Sequence, residues 1–171
     1  MASVEWNSEG ALWVKDFKTL LTVALVTCVQ GVNTTLGYEI SETVTDYMPY
    51  TPQKNLTSML NYSIADYTTD LISDKVVAGG LTEINMVVNL RVIPNQNQVK
   101  GNRIEDQDVL VNLITNYINN QIEYLQTSET TPYWFDFRTG GVANDLYWAT
   151  MGVSGSEITI TCKANLQGYT T

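Results

Sequence analysis

Histidine is absent from this chain, and with it go the usual general base, the usual proton switch near neutral pH and the commonest nitrogen ligand for transition metals. Charge is scarce too: 16% of residues are charged, low for a free-standing soluble monomer, and 9 basic residues face 18 acidic ones. The net charge of −9 and pI near 4.3 repel phosphate backbones and anionic membrane surfaces, which argues against a nucleic-acid binder. Cysteine is limited to Cys28 and Cys162, each where the pattern expects a buried apolar side chain, so two packed free thiols are favoured over a disulfide. No apolar run is long: Thr19 to Val29 is too short to span about 30 Å of hydrocarbon, and Glu5, Glu9 and Asp16 before it are a poor signal-peptide start. A core helix is its expected state.

What is present points to one α+β domain over residues 1–171, apolar enough at 44% hydrophobic to exclude disorder. A chain of this length buries about 70% of the surface its unfolded form exposes. From Ile84 to Val92, Ile84, Met86, Val88, Leu90 and Val92 alternate with Asn85, Asn89 and Arg91 among the odd positions. The same parity recurs in Ile158, Ile160, Cys162, Ala164 and Leu166 against Glu157, Thr159, Thr161, Lys163 and Asn165. That is the period of strands covered on one side and wet, or meeting a partner, on the other.

Two helices accompany these strands. Trp13, Phe17, Leu20, Leu21, Ala24, Leu25 and Cys28 recur at helical spacing, predicting a helix over about 7–30 capped by Asn7 or Ser8 and closed by Gly31. Val14, Val23, Val26 and Val29 make it apolar beyond one stripe, as if covered on more than one side. The second helix starts behind an Asn102/Glu105 capping-box pattern, with Leu110, Leu113, Ile114, Tyr117, Ile118 and Leu125 on one face. A strand is expected over about 35–45, a Pro-broken loop at 48–53 and an undecided stretch from 55 to 75. Residues 126–144 read as a long connection holding YWFDF and Gly140, Gly141, followed by a strand from Leu146 and a Ser154, Gly155 turn into the last strand. The fold class is therefore an antiparallel or mixed sheet with the N-terminal helix and a second long helix packed on one face.

Candidate chemistry is thin. Glu105, Asp106 and Asp108 form an acidic cluster, but they fall where a first helical turn favours negative side chains, and no base, nucleophile or metal partner is near. Asp66, Asp70 and Asp74 would align on a helix, yet lack the dense oxygen pattern and Gly turn of a calcium loop. Asn33, Asn55 and Asn61 begin Asn-X-Ser/Thr triplets, which an Asn- and Thr-rich chain also produces by chance. Neither a cofactor site nor a catalytic residue is assigned. The aromatic cluster Tyr133, Trp134, Phe135 and Phe137 with Arg138 has the composition of an interface core, and equally of an edge strand plugging the domain's own core.

The order of elements, with INMVVNLRVIPNQN closing one strand and SEITITCKANL forming the last, resembles the tail-terminator and tail-completion proteins of tailed bacteriophages. The resemblance implies a virion protein without enzymatic activity, forming a hexameric ring at the head-proximal end of the tail. It implies the tail tube and a neck or connector protein as neighbours, with DNA passing through the lumen and no membrane involved. An acidic, low-charge domain with surplus apolar surface is what a subunit of a closed ring requires. Two other classes stay open: a secreted or cell-surface adhesin-like module binding glycan or peptide through Tyr133 to Phe137, and an enzyme with convergent carboxylates, disfavoured by the missing histidine.

Overall fold

A computed structural model of the chain describes residues 13–46, 58–71, 82–95, 100–126, 134–149 and 152–165. The elements are α1 (Trp13–Leu36), β1 (Met59–Leu71), β2 (Thr82–Ile93), α2 (Lys100–Gln121), β3 (Tyr124–Leu125), β4 (Trp134–Trp148) and β5 (Val153–Asn165). All strand pairs are antiparallel, and the five form one sheet in the order β1-β2-β5-β4-β3. Ile84, Met86, Val88 and Leu90 on β2 and Ile158, Ile160, Cys162 and Ala164 on β5 share one core with the inward faces of both helices. One sheet face is thus covered by the helix layer, as the strand parity requires.

Helix α1 buries Phe17, Leu21, Leu25, Cys28 and Val29. It continues past Gly31 to Leu36, and Gly37, at φ 70°, takes the left-handed closing position with its N–H on the Asn33 carbonyl at 3.0 Å. A mid-helix Gly costs only about 1 kcal/mol relative to Ala, so Gly31 does not end the helix. At 24 residues α1 is also long and apolar enough, by length and composition, to cross a bilayer. One stripe of it packs into the core while 28% of its most apolar stretch is buried, and it is tied to the sheet by Tyr62, whose hydroxyl donates to the Lys18 carbonyl and meets Thr22 Oγ1, both at 2.9 Å. The proposed caps Asn7 and Ser8 lie outside the described residues.

The strand expected over 35–45 does not form. After α1 the chain makes only isolated parallel bridges, Ile40 with Ser58 and Thr45 with Asn61. Asn33 clasps it by accepting from the Ile40 N–H and donating to the Ile40 carbonyl, each at 2.9 Å, which takes up groups a ladder would have used. The undecided stretch is strand β1 over 59–71, with a register shift between Ile64 and Asp66. The Pro-containing loop at 48–53 lies outside the described residues.

Helix α2 begins at Lys100, which places Asn102 inside the first turn rather than ahead of it. Leu110, Val111, Ile114 and Ile118 are its buried apolar residues among those described, while Leu125 belongs to β3 beyond the helix end. The greatest departure is β4: residues read as a connection form a 15-residue strand. Three register shifts, between Phe135 and Arg138, Thr139 and Val142, and Ala143 and Leu146, each insert one extra residue against β5. Such bulges switch the facing of side chains and erase the period-2 pattern. Ser154 and Gly155 are within β5, not in a turn. Gly155 is needed there, since a Cβ would run into the Val92 carbonyl and approach Cζ3 of Trp148 to 2.9 Å.

Candidate assembly surfaces

Of the five residues singled out near 135, the structure brings two into the core and leaves two outside it. Trp134 is 1% exposed, its ring 5.5 Å from that of Phe17 at 53°, and Phe137 is also buried in the main core. These two rings plug the domain's own interior and cannot form an exposed contact. Phe135 pairs with Lys163 and Arg138 with Thr161, which puts both on the face opposite the helices. Arg138 is held by Asp136 at 2.7 Å, while Tyr133 lies outside the described residues.

The sheet face opposite the helices carries a polar row. Asn61, Arg91, Glu157 and Ala143 form one cross-strand row, in which Arg91 Nε lies 3.1 Å from Glu157 without pointing its N–H along the contact, and Arg91 also donates to Ser63 Oγ at 3.3 Å. At one end a small apolar cluster of Ile93 and Val153, with Met59 and Trp148 against it, covers the place where Gly155 admits the tryptophan ring. Neither group converges on a cavity.

Beyond the two-residue β3, no described strand pairs with the outer edge of β4. Asn119 on α2 takes the Thr139 N–H at 2.9 Å and donates to Thr139 Oγ1 at 2.8 Å, closing the edge at that point. From Gly140 to Asp145 every residue is exposed, and Val142 and Tyr147 present apolar surface at 40% and 67% exposure. A sheet edge with uncovered backbone and apolar side chains is a template on which another chain can join.

No protein-family model and no curated protein matches this chain.

The helix layer is the second such surface. From Thr19 to Leu36 and from Val109 to Ile122 neither helix carries a charged residue, in a protein of net charge −9. Between the helices runs an open, mainly apolar groove of about 340 Å³ lined by Cys28, Val32, Leu36, Leu113 and Tyr117 among others. Val23 is 61% exposed, and Leu36 and Val109 are also exposed. Thr19 and Thr27 donate their hydroxyls to the Lys15 and Val23 carbonyls at 3.0 and 2.9 Å, so their hydrogen-bonding capacity is largely spent on the helix itself. The surplus of apolar positions on α1, visible in the sequence as Val23 and its neighbours, is left partly uncovered.

Conventional sites fare worse. The acidic cluster at 105–108 lies beyond the first turn of α2, and Asp66 and Asp70 sit on a strand, not a helix, with Asp74 outside the described residues. Among the described residues no group of three or more His, Cys, Asp or Glu could hold a metal ion. Asn33 is engaged by Ile40 and Asn61 is wholly buried, so neither presents its amide for glycosylation, and Asn55 lies outside the described residues. Cys28 and Cys162 are free and buried, and desolvation pushes both thiols up to about 12, away from nucleophilic chemistry.

Proposed function

We propose that this chain is a structural subunit of a tailed-phage virion, a tail terminator or completion protein forming a ring, hexameric in that family, at the head-proximal end of the tail. In this reading it turns over no substrate, and it joins the tail tube to a neck or connector protein. The observation that carries the proposal is the exposed outer half of β4, which leaves backbone and apolar side chains available. The uncharged stretches of the helix layer, 19–36 and 109–122, are a further supporting feature, because a ring subunit must offer its neighbours two surfaces. The net charge of −9 suits a ring through which DNA passes without adhering. Placement of Trp134 and Phe137 in the core takes the two buried rings away from a glycan-stacking platform, so the binding-module alternative has no comparable support.

The test is the mass of the purified protein by light scattering over a wide concentration range, with negative-stain images of any large species. Closed six-membered rings would support the proposal. A single 19.1 kDa species at every concentration, with no ring formed on added tail tubes, would remove it.

A further inference from the structure

We infer that the helix layer of one copy is covered by the outer half of β4 of the next, a head-to-tail contact between two different surfaces of the same chain. The inference rests on the ring reading and specifies the contact that would build it. Charge is the first argument. Two copies, each at −9, repel wherever acidic surfaces meet, and like-charge juxtaposition across a contact is strongly disfavoured. The helix layer avoids this, with no charge from Thr19 to Leu36 or from Val109 to Ile122, and β4 from Thr139 to Trp148 carries only Asp145. These two stretches can therefore approach without stacking like charges.

Area is the second. Eighteen helical residues of α1 run about 27 Å, and two helices side by side are about 20 Å wide, a flat projection of about 500 Å². Each side of a standard stable contact contributes about 800 Å² of accessible surface, the same order once side chains corrugate the face. Shape agrees: the groove between the helices is concave and mainly apolar, and Val142 and Tyr147 are exposed apolar side chains that could fill it. A lipid surface is the less suitable occupant, because the exposed positions of the uncharged layer mix Val23, Leu36 and Val109 with Thr19, Thr27, Asn112, Asn116 and Gln121 and include none of the basic residues that membrane-bound helices carry.

The contact is tested with two charge insertions at exposed positions, Val23→Glu on α1 and Tyr147→Glu on β4, each checked for an unchanged thermal midpoint. Either change buries a carboxylate at the contact, so each variant alone should associate at least about 100-fold more weakly and run as a monomer. Mixed one to one, they should form a two-subunit species, because each still carries the surface the other has lost. Both variants assembling like wild type would overturn the inference, even if closed rings were seen and the ring reading stood. Tyr147→Glu assembling while Val23→Glu does not would overturn it in favour of a helix layer pairing with itself. Complementation together with open filaments would uphold this contact and sink the ring. Wild-type monomer that binds neutral phosphatidylcholine vesicles, with Val23→Glu failing to bind, would replace the second copy with a membrane.

Discussion

Trp134→Ala separates a core role from a contact role for the aromatic segment. The side chain is 1% exposed and packs on Phe17, and its indole Nε1 is buried without a partner. Truncating a buried Trp costs about 3–5 kcal/mol, of which an aromatic pair accounts for about 1. Releasing the unpaired N–H returns about 1–2 kcal/mol, for a net loss of about 3. With a urea m-value of about 2 kcal/mol/M, the unfolding midpoint should fall by about 1.5 M, followed by far-UV circular dichroism. Trp134→Phe keeps a ring against Phe17 and removes the orphan donor, so it should stay within about 1 kcal/mol of wild type. Phe135→Ala, on the opposite face and half-buried, should cost less than Trp134→Ala. A Trp134→Ala midpoint equal to wild type would refute the placement of this residue in the core. A Trp134→Phe midpoint as low as that of the alanine variant would show that the indole N–H has a partner.

Three further outcomes are expected. Gly155→Ala should lower stability by about 1–3 kcal/mol, because the added methyl meets the Val92 backbone and the Trp148 ring, and its thermal midpoint will show this. Tyr62→Phe should cost about 1–2 kcal/mol in a urea titration. The phenol proton is committed to the Lys18 carbonyl, so Thr22 is the donor in the second bond and loses its acceptor. Cys28 and Cys162 titrate near 12 when folded against 9.0 for an exposed thiol, so their contribution is fully present below about pH 9 and is lost as pH rises toward 12. Urea midpoints should fall over that window, and a thiol reagent at pH 8 should label the protein only when it is unfolded; rapid labelling of the native chain would contradict the burial.

The parts of the fold that could be read in advance are those where one period holds without interruption. Strands β2 and β5 keep Ile84 to Val92 and Ile158 to Ala164 on one face through every paired position, and α1 keeps Phe17, Leu21, Leu25 and Cys28 on one stripe. Strand β4 was hidden because its three extra residues change the facing of the chain every few positions, and Gly140 and Gly141 at the middle bulge look like loop chemistry. The bulge after Ile64 has the same effect on β1. Gly31 and Gly37 are alike as letters; the positive φ at Gly37 and the Asn33 clasp, both tertiary facts, decide which ends the helix. Within the candidate surfaces, the surplus valines of α1 and the lack of charge were legible, whereas the inward turn of Trp134 and Phe137 depended on the register of a strand that sequence periodicity does not reveal.

The three bulges of β4 have a consequence for how the protein behaves when crowded. Asp136 and Asp145 adopt φ of 55° and 57°, and the ladder shifts by one residue at each of three places over 15. Successive amides along the outer edge are therefore unevenly spaced and turned, and a straight strand laid against them would find only short stretches in phase. Runaway addition of strand upon strand, the route to fibres, needs long regular edges. An edge coiled in this way admits a partner shaped to it while refusing generic ones, which lets a chain with exposed valine and tyrosine on its rim be made in many copies without self-templating into amyloid.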